Sequence, residues 1–236
     1  MFGFKKAPII EIELQNVTKS FGGREVLKDI SFQVPHGKSL AIVGPPDSGK
    51  ELLLNLINGA SLPDSGRVRV LGIDTRDLKD DADWHKFLGN FGLVSQRSLL
   101  FNNLTVGMNI ALPLKLQIDR LFSEEEIAMR VGDLMRKVRL SSEYAMKFPS
   151  DLEQEARKRV EVARALAYEP KILLYEEPTL GLEARAARNI GKLIRKINKK
   201  MALTAFTVTL DEEFARQVAD EILFLDAQTG TLSTPK

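Results

Sequence analysis

The sequence predicts an α/β protein with a mostly parallel sheet, and three observations predict it. Short runs dominated by apolar residues, SLAIV (39–43), KILLY (171–175) and EILFL (221–225), suit strands covered on both faces. Segments with apolar residues at helical spacing alternate with them, as over 184–199. The octapeptide GPPDSGKE, Gly44 to Glu51, follows the first run and precedes a helical stretch at 52–58. Strand, glycine-rich loop and helix together form the setting in which a G-x-x-x-x-G-K pattern cradles phosphate, and strands alternating with helices give a parallel core.

The elements follow in order. Residues 9–17 (IIEIELQNV) alternate apolar and polar side chains, as a half-buried strand does, and 27–34 continues in that style up to a PHGK turn. SLAIV leads into the phosphate loop, PDSG (63–66) makes a turn, 67–71 resumes strand character, and a further strand ends at Leu93 and Val94 before Gln96. From Ser98 to about Ala167 the texture changes, with Leu and charged residues at helical spacing over 123–138 and 152–167 and a cap-like Pro149-Ser150-Asp151 between them. KILLY, a helix at 184–199, and strands at 202–209 and 221–225 complete the chain, with no internal repeat.

The 236 residues suit one large domain or a domain of two lobes. A net charge of +2 gives no reason to expect nucleic acid as a partner. The absence of Cys excludes disulfides and Cys-based metal sites and fits a reducing compartment. MFGFKKAPIIEIEL has no long apolar stretch behind its basic pair, so a signal peptide is not expected. The apolar runs fall far short of the roughly 20 residues that span a bilayer.

The chemistry centres on GPPDSGKE. In a phosphate loop, glycines free backbone N–H groups, Lys reaches the β/γ-phosphates and a following Ser/Thr hydroxyl ligates Mg²⁺. Gly44, Pro45, Pro46, Asp47, Ser48, Gly49 and Lys50 fit the loop, but Glu51 stands at the hydroxyl position. Asp47 and Glu51 bring negative charge to a site made for polyphosphate, and Glu51 is placed to neutralise Lys50 from within. Glu176 and Glu177, at the end of KILLY, read either as an exposed acidic pair at a sheet edge or as a metal-and-water pair.

Order and spacing carry a resemblance over about Ile9 to Gly230. Phe21 in VTKSFGG, GPPDSGKE, Gln96 ending LVSQ, PSDLEQEARKRVEVARALAYEP, ILLYEEPTLGLEAR and FTVTLDEE follow one another as the motifs of the nucleotide-binding domain of ABC transporters do. The resemblance implies a P-loop NTPase (RecA-like) core with an antiparallel β portion, together occupying about 1–96 and 168–236, and a helical subdomain over about 97–167. It implies ATP and Mg²⁺ as cofactors, Phe21 stacking on adenine, Gly44 to Glu51 around the phosphates, Glu176 and Gln96 at the metal, and Glu177 as catalytic base with Gln96 nearby. It also implies a second ABC domain paired head to tail, and a membrane permease whose helix enters the groove around Gln96 to Leu114. The chain would then be cytoplasmic and peripheral on the inner face of the membrane. LLFNNLTVGMNIALPL is similar to the corresponding stretch of Mla/Mce-type lipid-trafficking ATPases.

The departures are systematic. Glu51 replaces Ser/Thr, Leu152 to Ala156 (LEQEA) replaces LSGGQ, Glu176 and Glu183 replace Asp, and Leu210 replaces the switch His. Glu153 and Glu155 fit a solvated helix N-terminus, and Arg157, Lys158, Arg159 and Arg164 fit ordinary helix-face charges, placed to pair with Glu153, Glu155 and Glu161 at i,i+4 or i,i+3. Phe21 reads equally as core packing, and Leu99, Leu100, Phe101, Leu104, Leu112 and Leu114 divide between core and partner site. No head-to-tail pairing yields a complete site. The reading is a degenerate ABC-type subunit, a pseudo-ATPase of a transport or lipid-trafficking complex. The alternatives are a working ATPase of unusual metal chemistry and a soluble scaffold derived from the same domain.

Overall fold

The computed structural model describes residues 7–117 and 121–235; the N-terminal basic pair Lys5 and Lys6, and hence the expectation of no signal peptide, lies outside them. The chain opens with β1 (Ile10–Phe21) and β2 (Arg24–Pro35), an antiparallel hairpin. Next come β3 (Ser39–Val43), α1 (Lys50–Ile57), β4 (Ser65–Val70) and β5 (Ile73–Asp74). Strands β2-β1-β4-β5 form a four-stranded antiparallel sheet. After α2 (Asp81–Leu88) and β6 (Phe91–Val94), the elements up to β7 (Ile172–Glu176) are helical among the described residues: α3 (Val106–Lys115), α4 (Glu124–Lys137), two short 3₁₀ turns and α5 (Gln154–Ala165). The chain ends through α6 (Ala184–Met201), β8 (Thr204–Thr209), α7 (Glu212–Val218), β9 (Glu221–Leu225) and β10 (Leu232–Ser233).

The second sheet runs β10-β9-β3-β8-β7-β6, parallel throughout except for its edge strand β10. Strand periodicity divides its side chains between two cores. Ile172 and Leu174 of β7, with Phe206 and Val208 of β8, pack with α1 and the antiparallel sheet. Leu173, Tyr175 and Ala205 face the cluster built from α3, α4, α5 and α6. Helix α6 buries Ile190, Leu193, Ile194 and Ile197, the i, i+3, i+4, i+7 stripe of an amphipathic helix. Helix α4 starts on a capping box between Ser123 and Glu126.

Helices α2, α3 and α7 carry no clear sequence periodicity. Helix α3 contains Gly107 and an internal Pro113, and it forms because Thr105 caps Met108 N–H and because Val106, Ile110 and Leu114 are buried. Asn109, fully buried in α3, fixes the preceding loop. Its Oδ1 accepts from Phe101 N–H at 2.8 Å, and its amide donates to the carbonyls of Phe101, Leu104 and Thr105.

Candidate functional site

Four neighbouring parallel strands end on one edge of the sheet, where α/β folds place ligands. Gly44 follows β3, Leu210 follows β8, Glu177 follows β7, and Ser95 and Gln96 follow β6. The topology therefore brings together residues that are more than 160 positions apart in sequence. Gly49 caps α1 at φ +89, and a Cβ there would lie 2.5 Å from Val26 Cγ1, so the turn into α1 requires glycine.

Lys50 is the centre of the site and is only 1% exposed. Its ammonium donates to the Pro45 carbonyl at 3.1 Å and pairs with Glu51 Oε1 at 3.1 Å and Glu177 Oε1 at 3.2 Å. Only the Pro45 carbonyl is hydrogen-bonded to the ammonium; the two carboxylate oxygens lie at ion-pair distance, and Glu177 Oε1 is buried without a hydrogen-bond partner. Glu177 is 4% exposed and held in the positive-φ region at +42. Its Oε2 accepts from Thr209 Oγ1 and from Leu210 N–H, both at 3.0 Å. The reading of Glu176 and Glu177 as an exposed pair at a sheet edge is thereby corrected: β7 lies between β8 and β6, and Glu177 is enclosed.

Glu176 accepts from Ser95 Oγ at 2.7 Å and, at 3.4 Å, from Gln96 N–H. Gln96 itself is exposed. Lys158 of α5 donates to the Ser95 carbonyl at 3.2 Å and pairs with Glu161 at 2.6 Å in the interior. Lys158 is therefore not an ordinary helix-face charge: it joins α5 to the segment that holds Glu176. The hydroxyls of Ser95 and Thr209 and the carbonyl of Pro45 are site groups that the sequence reading missed. Ser95 and Thr209 each immediately precede a singled-out position, Gln96 and Leu210, and that adjacency was the available signal.

The donor set does not fit a Mg²⁺-bound polyphosphate as it stands. Pro45 and Pro46 have no N–H, and the N–H groups of Gly44 and Ser48 are engaged by the carbonyls of Thr209 and Pro45. Lys50 is enclosed with two carboxylates already at ion-pair distance, and Glu51 replaces the metal-binding hydroxyl. Among the described residues, no group of three or more His, Asp or Glu side chains is placed to hold a metal ion.

Phe21 is 57% exposed, with the Lys19 ammonium 5.7 Å from its ring centroid, so it is not a core residue. The LEQEA segment opens α5. There Glu155 pairs with Arg159 at 2.6 Å and accepts from Asn189 of α6 at 3.1 Å. Burial pushes the Glu155 pKa up, but the bonds from Arg159 and Asn189 outweigh it and hold the carboxyl below its ordinary value. A cavity of about 660 Å³ beside it is lined by Glu153, Arg157, Glu183 and Arg185 among others. A groove of about 390 Å³ is lined by Leu88, Leu93, Leu99, Pro113 and Leu116, with Arg164 bonded to the Leu99 carbonyl at its edge. The apolar set divides: Leu100 and Leu114 are buried, whereas Leu99 and Phe101 are exposed. No helix among the described residues is long and apolar enough to cross a membrane.

Comparison with known proteins places these observations. A family model described as ABC transporter matches residues 27–180. The sulfate/thiosulfate import ATP-binding protein of Thermosynechococcus vestitus is 36% identical over 225 residues, covering 95% of this chain and 64% of its own length. The methionine import ATP-binding protein of Clostridium acetobutylicum is 36% identical over 216 residues, covering 92% of this chain and 66% of its own length. The chain thus spans less than two thirds of the length of these curated relatives. Among solved structures, the dimeric post-hydrolysis state of the ATP-binding cassette MJ0796 bound to ADP and Pi superposes with a TM-score of 0.82 at 30% identity, covering 95% of this chain and 99% of that one.

Proposed function

The chain belongs to the ABC transporter family, and from that premise we propose that it is the ATP-binding-type subunit of a membrane transport complex whose own site does not hydrolyse ATP. One observation carries the reading: the phosphate-loop lysine is enclosed, hydrogen-bonded to the Pro45 carbonyl and ion-paired with the carboxylates of Glu51 and Glu177. The residue at the catalytic-base position is then a counter-ion of Lys50 through Oε1 and a brace for the segment after β8 through Oε2. Ser95 and Gln96 hold Glu176, at the metal position, in the same way. Leu210 supplies no imidazole, and LEQEA supplies carboxylates where its family places a hydroxyl and glycine amides.

In this reading the retained part of the function is mechanical. The core, residues 1–96 with 168–236, pairs with a second ABC domain, and the groove between that core and the helical segment 97–167 takes a permease helix at the cytoplasmic face of the membrane. The named relatives serve sulfate/thiosulfate and methionine import, and this lends no support to a lipid cargo, for which the stretch from Leu99 to Leu114 is the only argument. A second reading, a working ATPase with altered metal chemistry, is favoured by the exposure of Phe21, as an adenine platform requires.

Phosphate release from ATP by the full chain separates the two. Hydrolysis is expected to be absent or far below that of an intact relative, because each lost transition-state donor commonly costs about 10²–10³ in rate. Turnover near the enzyme median of about 10 s⁻¹, abolished by Glu177→Gln, overturns the proposal.

A further inference from the structure

The two carboxylates on Lys50 are not equivalent. Glu177 is enclosed, and its second oxygen is fixed by the Thr209 hydroxyl and the Leu210 N–H. Glu51 is 37% exposed on its side chain, lies in the first turn of α1, and has Lys50 as its one recorded polar partner. Glu177 therefore belongs to the frame, while Glu51 can rotate into solvent without breaking any other bond described here. The position it occupies on Lys50 is the one an incoming phosphate oxygen would need. We infer that Glu51 is an internal competitor for the phosphate position, a tethered carboxylate that keeps polyphosphate anions off Lys50. This rests on the reading of the site as non-hydrolytic and adds the residue that enforces its selectivity.

The charge balance supports the assignment. Lys50, Glu51 and Glu177 together carry one net negative charge at the loop, before Asp47 is counted. Removing the Glu51 charge makes the trio neutral and takes one of the two carboxylates off the Lys50 ammonium. The start of α1 then offers its helix dipole to an anion with one fewer opposing carboxylate, Glu177 and Asp47 remaining. The two prolines persist, so the gain is partial. Glu51 is at the surface, so neutral replacements leave the core packing untouched.

The test is calorimetric titration of wild type, Glu51→Gln and Glu51→Ser with inorganic pyrophosphate and with ADP, each with EDTA and with Mg²⁺. Both variants are expected to bind pyrophosphate and ADP at least about tenfold more tightly than wild type in EDTA, a gain of one decade in Kd. Glu51→Ser alone should gain further affinity on adding Mg²⁺, because it restores the hydroxyl. Equal affinities in all three proteins, including no binding by any of them, overturn the inference. Phosphate release is measured on the same samples. Turnover by wild type would defeat the non-hydrolytic reading while leaving the affinity ratio to be judged on its own. Equal affinities without turnover would defeat the competitor and leave that reading standing.

Discussion

Glu161→Leu isolates the energetics of the buried pair that ties α5 to the site. Lys158 and Glu161 side chains are 8% and 4% exposed, and their charges lie 2.6 Å apart. At an effective dielectric of about 20, that separation corresponds to roughly 6 kcal/mol of attraction, set against several kcal/mol of desolvation for each ion. The pair as a whole is therefore close to neutral for stability, but removing one member leaves the other's desolvation uncompensated. Glu161→Leu leaves the ammonium with only the Ser95 carbonyl and should cost about 3–5 kcal/mol. Lys158→Met combined with Glu161→Leu should recover most of this, short by about 1 kcal/mol for the bond to Ser95. Urea unfolding followed by circular dichroism, analysed as a double-mutant cycle, measures the coupling. A single-variant cost below about 1 kcal/mol, or a double variant as unstable as the sum of the singles, would refute the argument.

Two further outcomes follow from local geometry. Gly49→Ala should destabilise by about 1–3 kcal/mol in the same unfolding assay, because a Cβ at φ +89 meets Val26 at 2.5 Å; an unchanged midpoint contradicts this. Asp220 has its pKa raised by burial, but the Ser39 N–H and the Arg195 guanidinium outweigh that and hold it below the ordinary value. A carboxyl with a depressed folded pKa contributes stability that is present above the unfolded value, near 3.8, and is lost as pH falls through the folded value. The stability difference between wild type and Asp220→Asn should therefore be full above about pH 5 and shrink below pH 4, and a constant difference across that range would count against it.

The sequence disclosed the parallel core, the loop and its lysine, and the order of the site positions, because each leaves a local trace: an apolar run, a glycine spacing, a strand end. It also suggested that Glu51 would neutralise Lys50, since adjacent residues at a helix start have few other places to go. The third oxygen partner of Lys50, Glu177, required tertiary information. Lys50 and Glu177 lie 127 positions apart, and only the β3-β8-β7 order brings them within 3.2 Å. Lys158 misled for a related reason. On α5, with charges in half of its positions, nothing in the spacing distinguishes a solvated lysine from one that turns inward to a main-chain carbonyl. Helix α3 was hidden because Gly107, Asn109 and Pro113 interrupt the i, i+4, i+8 stripe of Val106, Ile110 and Leu114.

Asn109 has a consequence for recognition. By gripping both backbone groups of Phe101 and the carbonyls of Leu104 and Thr105, it stiffens a loop that has no regular structure of its own. Phe101 and Leu99, exposed on that loop, are thus displayed in fixed positions. Ordering a flexible contact side chain on association costs about 0.5–1.5 kcal/mol, and here much of the backbone share of such a cost is met during folding. A helix arriving at this face would meet a mould already set, so its residence time would depend on how well its own side chains match the groove.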